Sequence, residues 1–101
     1  MARFGRVAAH FAHGAAGLSA RYGHDPFTAL NLPHAVQAQA LKLLGRIAQA
    51  NTLAECQRAA DRAEGFGLGL ETLKALNAPS IEALYLAFEH TATARQLELE
   101  G

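Results

Sequence analysis

Two histidines near the N-terminus have a spacing that can bind a metal ion. His10 and His13 lie three residues apart, so on a helix they share one face. A metal site needs further ligands, and His90 is the third candidate in the chain. No acidic residue lies between His10 and His13. We therefore interpret this pair as surface residues and expect neither a bound metal nor a cofactor. A metal site at His10, His13 and His90, or a pH-sensing role, is the alternative.

The other reactive side chains fit structural roles better than catalytic ones. His24 precedes Asp25, a pair in which an acid could orient a histidine base, but the sequence places no nucleophile beside it. The single cysteine, Cys56, lies on an apolar helical seam, where a small buried hydrophobe is expected. We therefore predict no catalytic residue and no enzymatic activity.

Three closely spaced glycines, Gly65, Gly67 and Gly69, superficially resemble a phosphate-binding loop. The stretch lacks the GxGxxG spacing, a preceding strand, and the lysine and hydroxyl residue of a P-loop. Its apolar pattern keeps a helical phase from Ala63 to Leu70, which predicts a continuous or slightly kinked helix. Two shorter helices broken at the glycines are the alternative. In the continuous helix the glycines let another helix pack closely, and the expected neighbours are the small residues Ala8, Ala12, Ala15 and Ala16.

Apolar residues recur at intervals of three and four, which predicts helices in most of the chain. Strands are not expected, because β-branched residues are few and do not alternate with polar ones. Short connections favour an all-α antiparallel bundle of about four helices in a single domain, residues 1–101. The predicted helices span residues 4–22, 33–50, 53–77 and 80–98, and residues 23–32 form a connector that packs on the core.

Local signals mark the ends of the later helices. Thr52 and Glu55 have the spacing of a capping box, which starts the third predicted helix. Asn77 can adopt the left-handed conformation that ends this helix, and the next begins at Pro79 or Ser80. The fourth predicted helix has a stripe of large apolar residues. Leu86 lies among the polar positions of this helix, which include Glu82, Glu89, Thr93 and Gln96. We assign Leu86, together with the three glycines, to an interface or a close helix contact.

The charge distribution excludes some partners. The formal net charge is zero, but residues 1–24 carry +3 and residues 25–101 carry −3. Most of the chain therefore lacks the basic footprint of a nucleic-acid-binding protein. No apolar run is long enough for a transmembrane helix, and three arginines are few for contact with a membrane surface. The single cysteine fits a cytoplasmic location.

The composition favours an interaction function. The helices are rich in alanine and glycine, and their apolar faces are wider than a chain of 101 residues needs for its own core. A basic segment can also dock on an acidic one within or between chains. We therefore predict a non-enzymatic protein-interaction module, a homo-oligomer whose partner is itself or another protein. The alternative is a helical bundle that binds a metal ion or small ligand between helices.

Overall fold

The structure, a computed structural model, describes residues 26–101 of the chain. Three helices pack together in this part. Helix α1 spans His34–Ala48, α2 spans Leu53–Thr72 and α3 spans Ala78–Glu100. No strand occurs among these residues, which confirms the predicted all-α class. The first predicted helix, residues 4–22, lies outside the described residues, so the predicted count of four helices is not confirmed.

Short connections make successive helices antiparallel. Residues 49–52 join α1 to α2, and residues 73–77 join α2 to α3. The Cys56 thiol contacts the Ala92 carbonyl oxygen at 3.8 Å. This contact places the start of α2 beside the later turns of α3. Each of the three helices packs on the other two. None of them is both long and apolar enough to cross a membrane.

The core combines small residues on α2 with large ones on α3. This division lets the two helices approach closely, since the side chains of α3 fill the space that α2 leaves. Each large side chain that is fully buried contributes roughly 1.5–3 kcal/mol to folding. The buried residues of α2 are Cys56, Ala60, Ala63 and Gly67, and the large buried apolar and aromatic residues of α3 are Ile81, Leu84, Tyr85 and Phe88.

The segment before α1 folds back on the core. Phe27 is fully buried, and its ring meets that of Phe88 edge to face, with centroids 6.1 Å apart and planes at 69°. This arrangement suits the quadrupoles of both rings. A single 3-10 turn, Thr28–Leu30, follows, and Leu32 is buried after it. The described part of the connector is therefore packed, as its apolar residues predict.

Helix α2 begins where the capping box predicts. The Glu55 N–H donates to Thr52 Oγ1 at 3.0 Å. The Glu55 carboxylate accepts from the Asn51 N–H at 2.7 Å, one residue before the N–H that a standard capping box uses. Both bonds satisfy backbone donors that the first helical turn cannot pair internally.

Helix α2 runs without a break through its glycines but ends at Thr72, five residues before the predicted end at Asn77. Lys74 adopts the left-handed conformation there, with φ 54°. Its N–H donates to the Glu71 carbonyl at 3.1 Å, and the Ala75 N–H donates to the Leu70 carbonyl at 2.9 Å. These two bonds form a Schellman motif, which closes the helix.

The predicted role of Asn77 is therefore wrong. Its φ is −73°, and its side-chain oxygen accepts from the Ser80 N–H at 2.9 Å, so it is the N-cap of α3. The helix starts at Ala78 rather than at Pro79 or Ser80. Asparagine suits both roles. The Schellman bonds had already ended α2 upstream, which leaves Asn77 to satisfy the first donors of α3.

Lys74→Gly is expected to stabilise the protein. A left-handed residue with a Cβ costs roughly 1–2 kcal/mol, whereas glycine costs roughly 0.5–1 kcal/mol in extra unfolded-state entropy. The free energy of unfolding in urea should therefore rise by up to about 1 kcal/mol. The control is Lys42→Gly at an exposed position of α1. This variant should lower the free energy of unfolding by about 1 kcal/mol. A loss at both positions would contradict the left-handed conformation of Lys74.

Candidate functional site

Gly67 lies on α2 directly against the Tyr85 ring of α3. A Cβ added to Gly67 would lie 2.8 Å from Cε1 and 3.0 Å from Cζ of Tyr85, closer than two carbon atoms can pack. The Tyr85 ring is only 1% exposed, and its hydroxyl donates to the Glu71 carboxylate at 3.2 Å. The ring is thus held across the backbone of α2, and glycine is the residue that leaves room for it.

Gly65 and Gly69 face the opposite way. A Cβ added to either glycine would meet no atom of the described chain within 4 Å. The two residues are one turn apart, so they share a face of α2 with Leu68 and Thr72. Leu68 is 48% exposed and Thr72 is also exposed. We call Gly65, Leu68, Gly69 and Thr72 the glycine face.

The glycine face has no stabilising role within the described bundle. A glycine inside a helix costs about 1 kcal/mol relative to alanine. At Gly67 the contact with Tyr85 accounts for that cost. At Gly65 and Gly69 no contact within residues 26–101 accounts for this cost. Leu73, at the end of the same helix, is 78% exposed, so this part of α2 combines missing side chains with apolar surface.

The other predicted site residues are not brought together. Leu86 is half-buried on α3 rather than fully exposed. His90 is buried on the same helix, 8% exposed, and burial lowers the pKa of its imidazole. His10 and His13 lie outside the described residues, as do the alanines expected beside the glycines. Within residues 26–101 no group of three or more His, Cys, Asp or Glu side chains could hold a metal ion.

Glu89 is a buried acid that the sequence pattern does not predict. The sequence pattern predicts a polar surface position, but Glu89 is only 6% exposed. The pKa of its carboxyl is raised from 4.5 to about 7, and burial is the largest cause. A hydrogen bond from the Thr93 hydroxyl at 3.0 Å opposes the rise, and the nearby Glu64 carboxylate adds to it. The only sequence signal is its position one turn after Tyr85, which extends the buried stripe.

Cys56 has the buried environment that its position on the seam predicts. It is fully buried, and burial raises the pKa of the thiol while the Arg95 guanidinium opposes the rise. Arg95 joins α3 to the connection between α1 and α2, since its Nε donates to the Ala50 carbonyl at 2.8 Å. Its guanidinium also pairs with Glu98 of the same helix at 2.8 Å. Both residues therefore hold the end of α3 on the bundle, and the thiol stays protonated and poorly reactive near neutral pH.

Glu89→Gln is expected to stabilise the protein increasingly as pH rises. The folded-state pKa is about 7 against 4.5 unfolded, so the folded protein binds more protons between these values and loses stability as pH increases. The gain of the variant over the native chain should grow between pH 5 and pH 8, by at most about 3 kcal/mol. Urea unfolding across this range measures it.

Two comparisons isolate this effect of Glu89. His90 acts in the opposite sense, because its lowered pKa makes stability fall as pH drops below about 6.5. His90 is present in both proteins, so its contribution cancels when the free energy of unfolding of the native chain is subtracted from that of the variant. Glu100→Gln, at an exposed position of the same helix, is the matched control and should leave the pH profile unchanged. A pH-independent effect of Glu89→Gln would contradict the raised pKa.

The candidate site is therefore the glycine face of α2, with the Gly67–Tyr85 contact behind it. The contact fixes the rotation of the helix, and the rotation turns Gly65 and Gly69 outward. The glycine face can provide close van der Waals contact to a partner. Comparison of the chain with protein-family models, with curated proteins and with solved structures finds no match.

Proposed function

We propose that this protein is a non-enzymatic helical interaction module that self-associates through the glycine face of α2. The observation that carries the proposal is the outward position of Gly65 and Gly69 in an unbroken helix. Two missing side chains one turn apart leave a flat strip, on which the helix of a partner can lie with its backbone unusually close. No packing within the described chain explains these glycines.

The surrounding apolar surface supplies the driving force. Leu68 is 48% exposed and Leu73 is 78% exposed, and full burial of a leucine side chain is worth roughly 1.5–3 kcal/mol. Leu68 directly precedes Gly69 in α2, and Leu73 is the C-cap residue of this helix, four residues after Gly69. A partner that covers the strip therefore buries them as well, which gives the contact an apolar centre such as stable interfaces have.

A second copy of the chain fits this surface. In a two-fold dimer each subunit presents the same patch. Two α2 helices that cross antiparallel would bring Gly65 of one copy opposite Gly69 of the other, and each Leu68 would lie near the two-fold axis. The same exposed residues thereby serve both sides of the interface, and no second binding surface is required.

The charges favour a protein partner over a nucleic acid. Residues 26–101 contain six basic and eight acidic residues, so the bundle as a whole has no net positive charge with which to attract the long backbone of a nucleic acid. The proposal includes a cytoplasmic location, which a chain with one buried cysteine suits. The competing occupant of the glycine face is the chain's own basic segment, residues 1–24, and the mass of the particle distinguishes the two.

Sedimentation or light scattering on the full chain tests the proposal. The native protein should show a concentration-dependent mass that approaches the dimer at tens of micromolar. The double variant Gly65→Arg, Gly69→Arg should remain a monomer, because the new side chains fill the strip. It should also stay folded, since arginine favours helices more than glycine does.

The control is Ala38→Arg, which places the same side chain at an exposed position of α1 and should still dimerise. A native chain that is monomeric at all these concentrations overturns self-association. A double variant that dimerises as well as the control shows that another surface is used.

A further inference from the structure

A cleft of about 320 Å³ lies between α1 and α2, close to the connection that joins them. Small side chains leave this space, since Ala50 is buried and Ala59 half-buried among its lining residues. Three arginines, Arg46, Arg58 and Arg62, also line it, and all three are exposed. The cleft is thus a concave surface with apolar walls and a concentration of positive charge.

The fold brings the three arginines together from two helices. Arg58 and Arg62 are one turn apart on α2, so they project from the same face. Arg46 lies in the last turn of α1, which the short connection folds back alongside the first turns of α2. Within residues 26–101 the only ion pair joins Arg95 to Glu98, so none of the three guanidinium groups of the cleft is neutralised by a side chain of the described bundle.

One acid, Glu55, also lines the cleft, but it is already engaged. Its carboxylate accepts the Asn51 N–H at 2.7 Å as part of the helix cap. Three arginines and one glutamate give the cleft a formal charge of +2. Like charges gathered in one concave site repel each other, and an anion bound between them relieves this repulsion.

We propose that this cleft binds the phosphate group of a small soluble phosphomonoester. A phosphate monoester carries a charge of about −1.5 to −2 at neutral pH, which matches the charge of the cleft better than a single carboxylate does. Guanidinium groups bind phosphate oxygens through paired hydrogen bonds. Gln49, also a lining residue, has a side-chain amide that can donate as well.

The size and shape of the cleft favour a small molecule. Its volume of about 320 Å³ is at the lower end of the range for small-ligand sites. An open cleft of this size has room for one phosphate and a few further atoms, whereas a lipid bilayer presents its phosphates on a broad surface. The cleft and the glycine face share no residue, although Arg62 lies one turn before Gly65 on α2, and phosphate binding is measured separately from self-association.

Titration with glycerol 3-phosphate at constant ionic strength, followed by NMR, tests the proposal. Saturable shifts are expected for backbone amides around Arg46, Arg58 and Arg62. Arg58→Gln should weaken binding by at least about tenfold. The matched control is Lys42→Gln, which removes one positive charge from an exposed position of α1 outside the cleft and should leave the affinity within about twofold.

Three results would overturn the proposal. The first is the absence of saturable shifts at millimolar glycerol 3-phosphate in a protein that circular dichroism shows to be folded. The second is an equal loss of affinity in both variants, which indicates general charge attraction. The third is binding to vesicles that contain phosphatidic acid without binding to glycerol 3-phosphate, which assigns the arginines to a membrane surface. The dimer mass is measured separately, so failure here leaves self-association intact.

Discussion

The close contact between Gly67 and Tyr85 is the constraint on which the rest of the described bundle depends. Because position 67 has no side chain, a buried aromatic ring lies directly against the backbone of α2. That contact sets the separation of the two longest helices and anchors the tyrosine hydroxyl on Glu71. The alanines on the same face of α2 continue the close approach, and the large residues of α3 fill the volume between them. Small residues on one helix and large ones on the other therefore make one interlocking surface.

The same contact determines which residues face outward. Residues two apart on a helix point in nearly opposite directions, so turning Gly67 toward α3 turns Gly65 and Gly69 away from it. One short run of glycines thus serves two surfaces, a packed one inside the bundle and an open one outside. The self-association proposed for this protein uses the open surface, and its geometry follows from the internal contact.

The sequence predicted what depends on local pattern and missed what depends on tertiary position. The apolar phase predicts an unbroken α2 with Gly67 on the seam, and the capping box predicts where it begins. The partner of Gly67 could not be predicted, because α3 has apolar residues around most of its circumference and its rotation is set by packing. The burial of Glu89 was missed for the same reason. No local signal indicates that Lys74 would be left-handed, and the arginine cleft combines residues from two helices.

A double-mutant cycle between Gly67→Ala and Tyr85→Leu tests the central contact most directly. Unfolding free energies are measured for the four proteins, with Gly65→Ala as the reference for the effect of alanine in this helix. We expect Gly67→Ala to destabilise the native chain by roughly 1–3 kcal/mol. In the Tyr85→Leu background, where the facing side chain is smaller, the same change should cost far less, whereas Gly65→Ala should stabilise by up to about 1 kcal/mol. An equal effect of Gly67→Ala in both backgrounds would contradict the account, because the ring of Tyr85 would then not be what requires glycine.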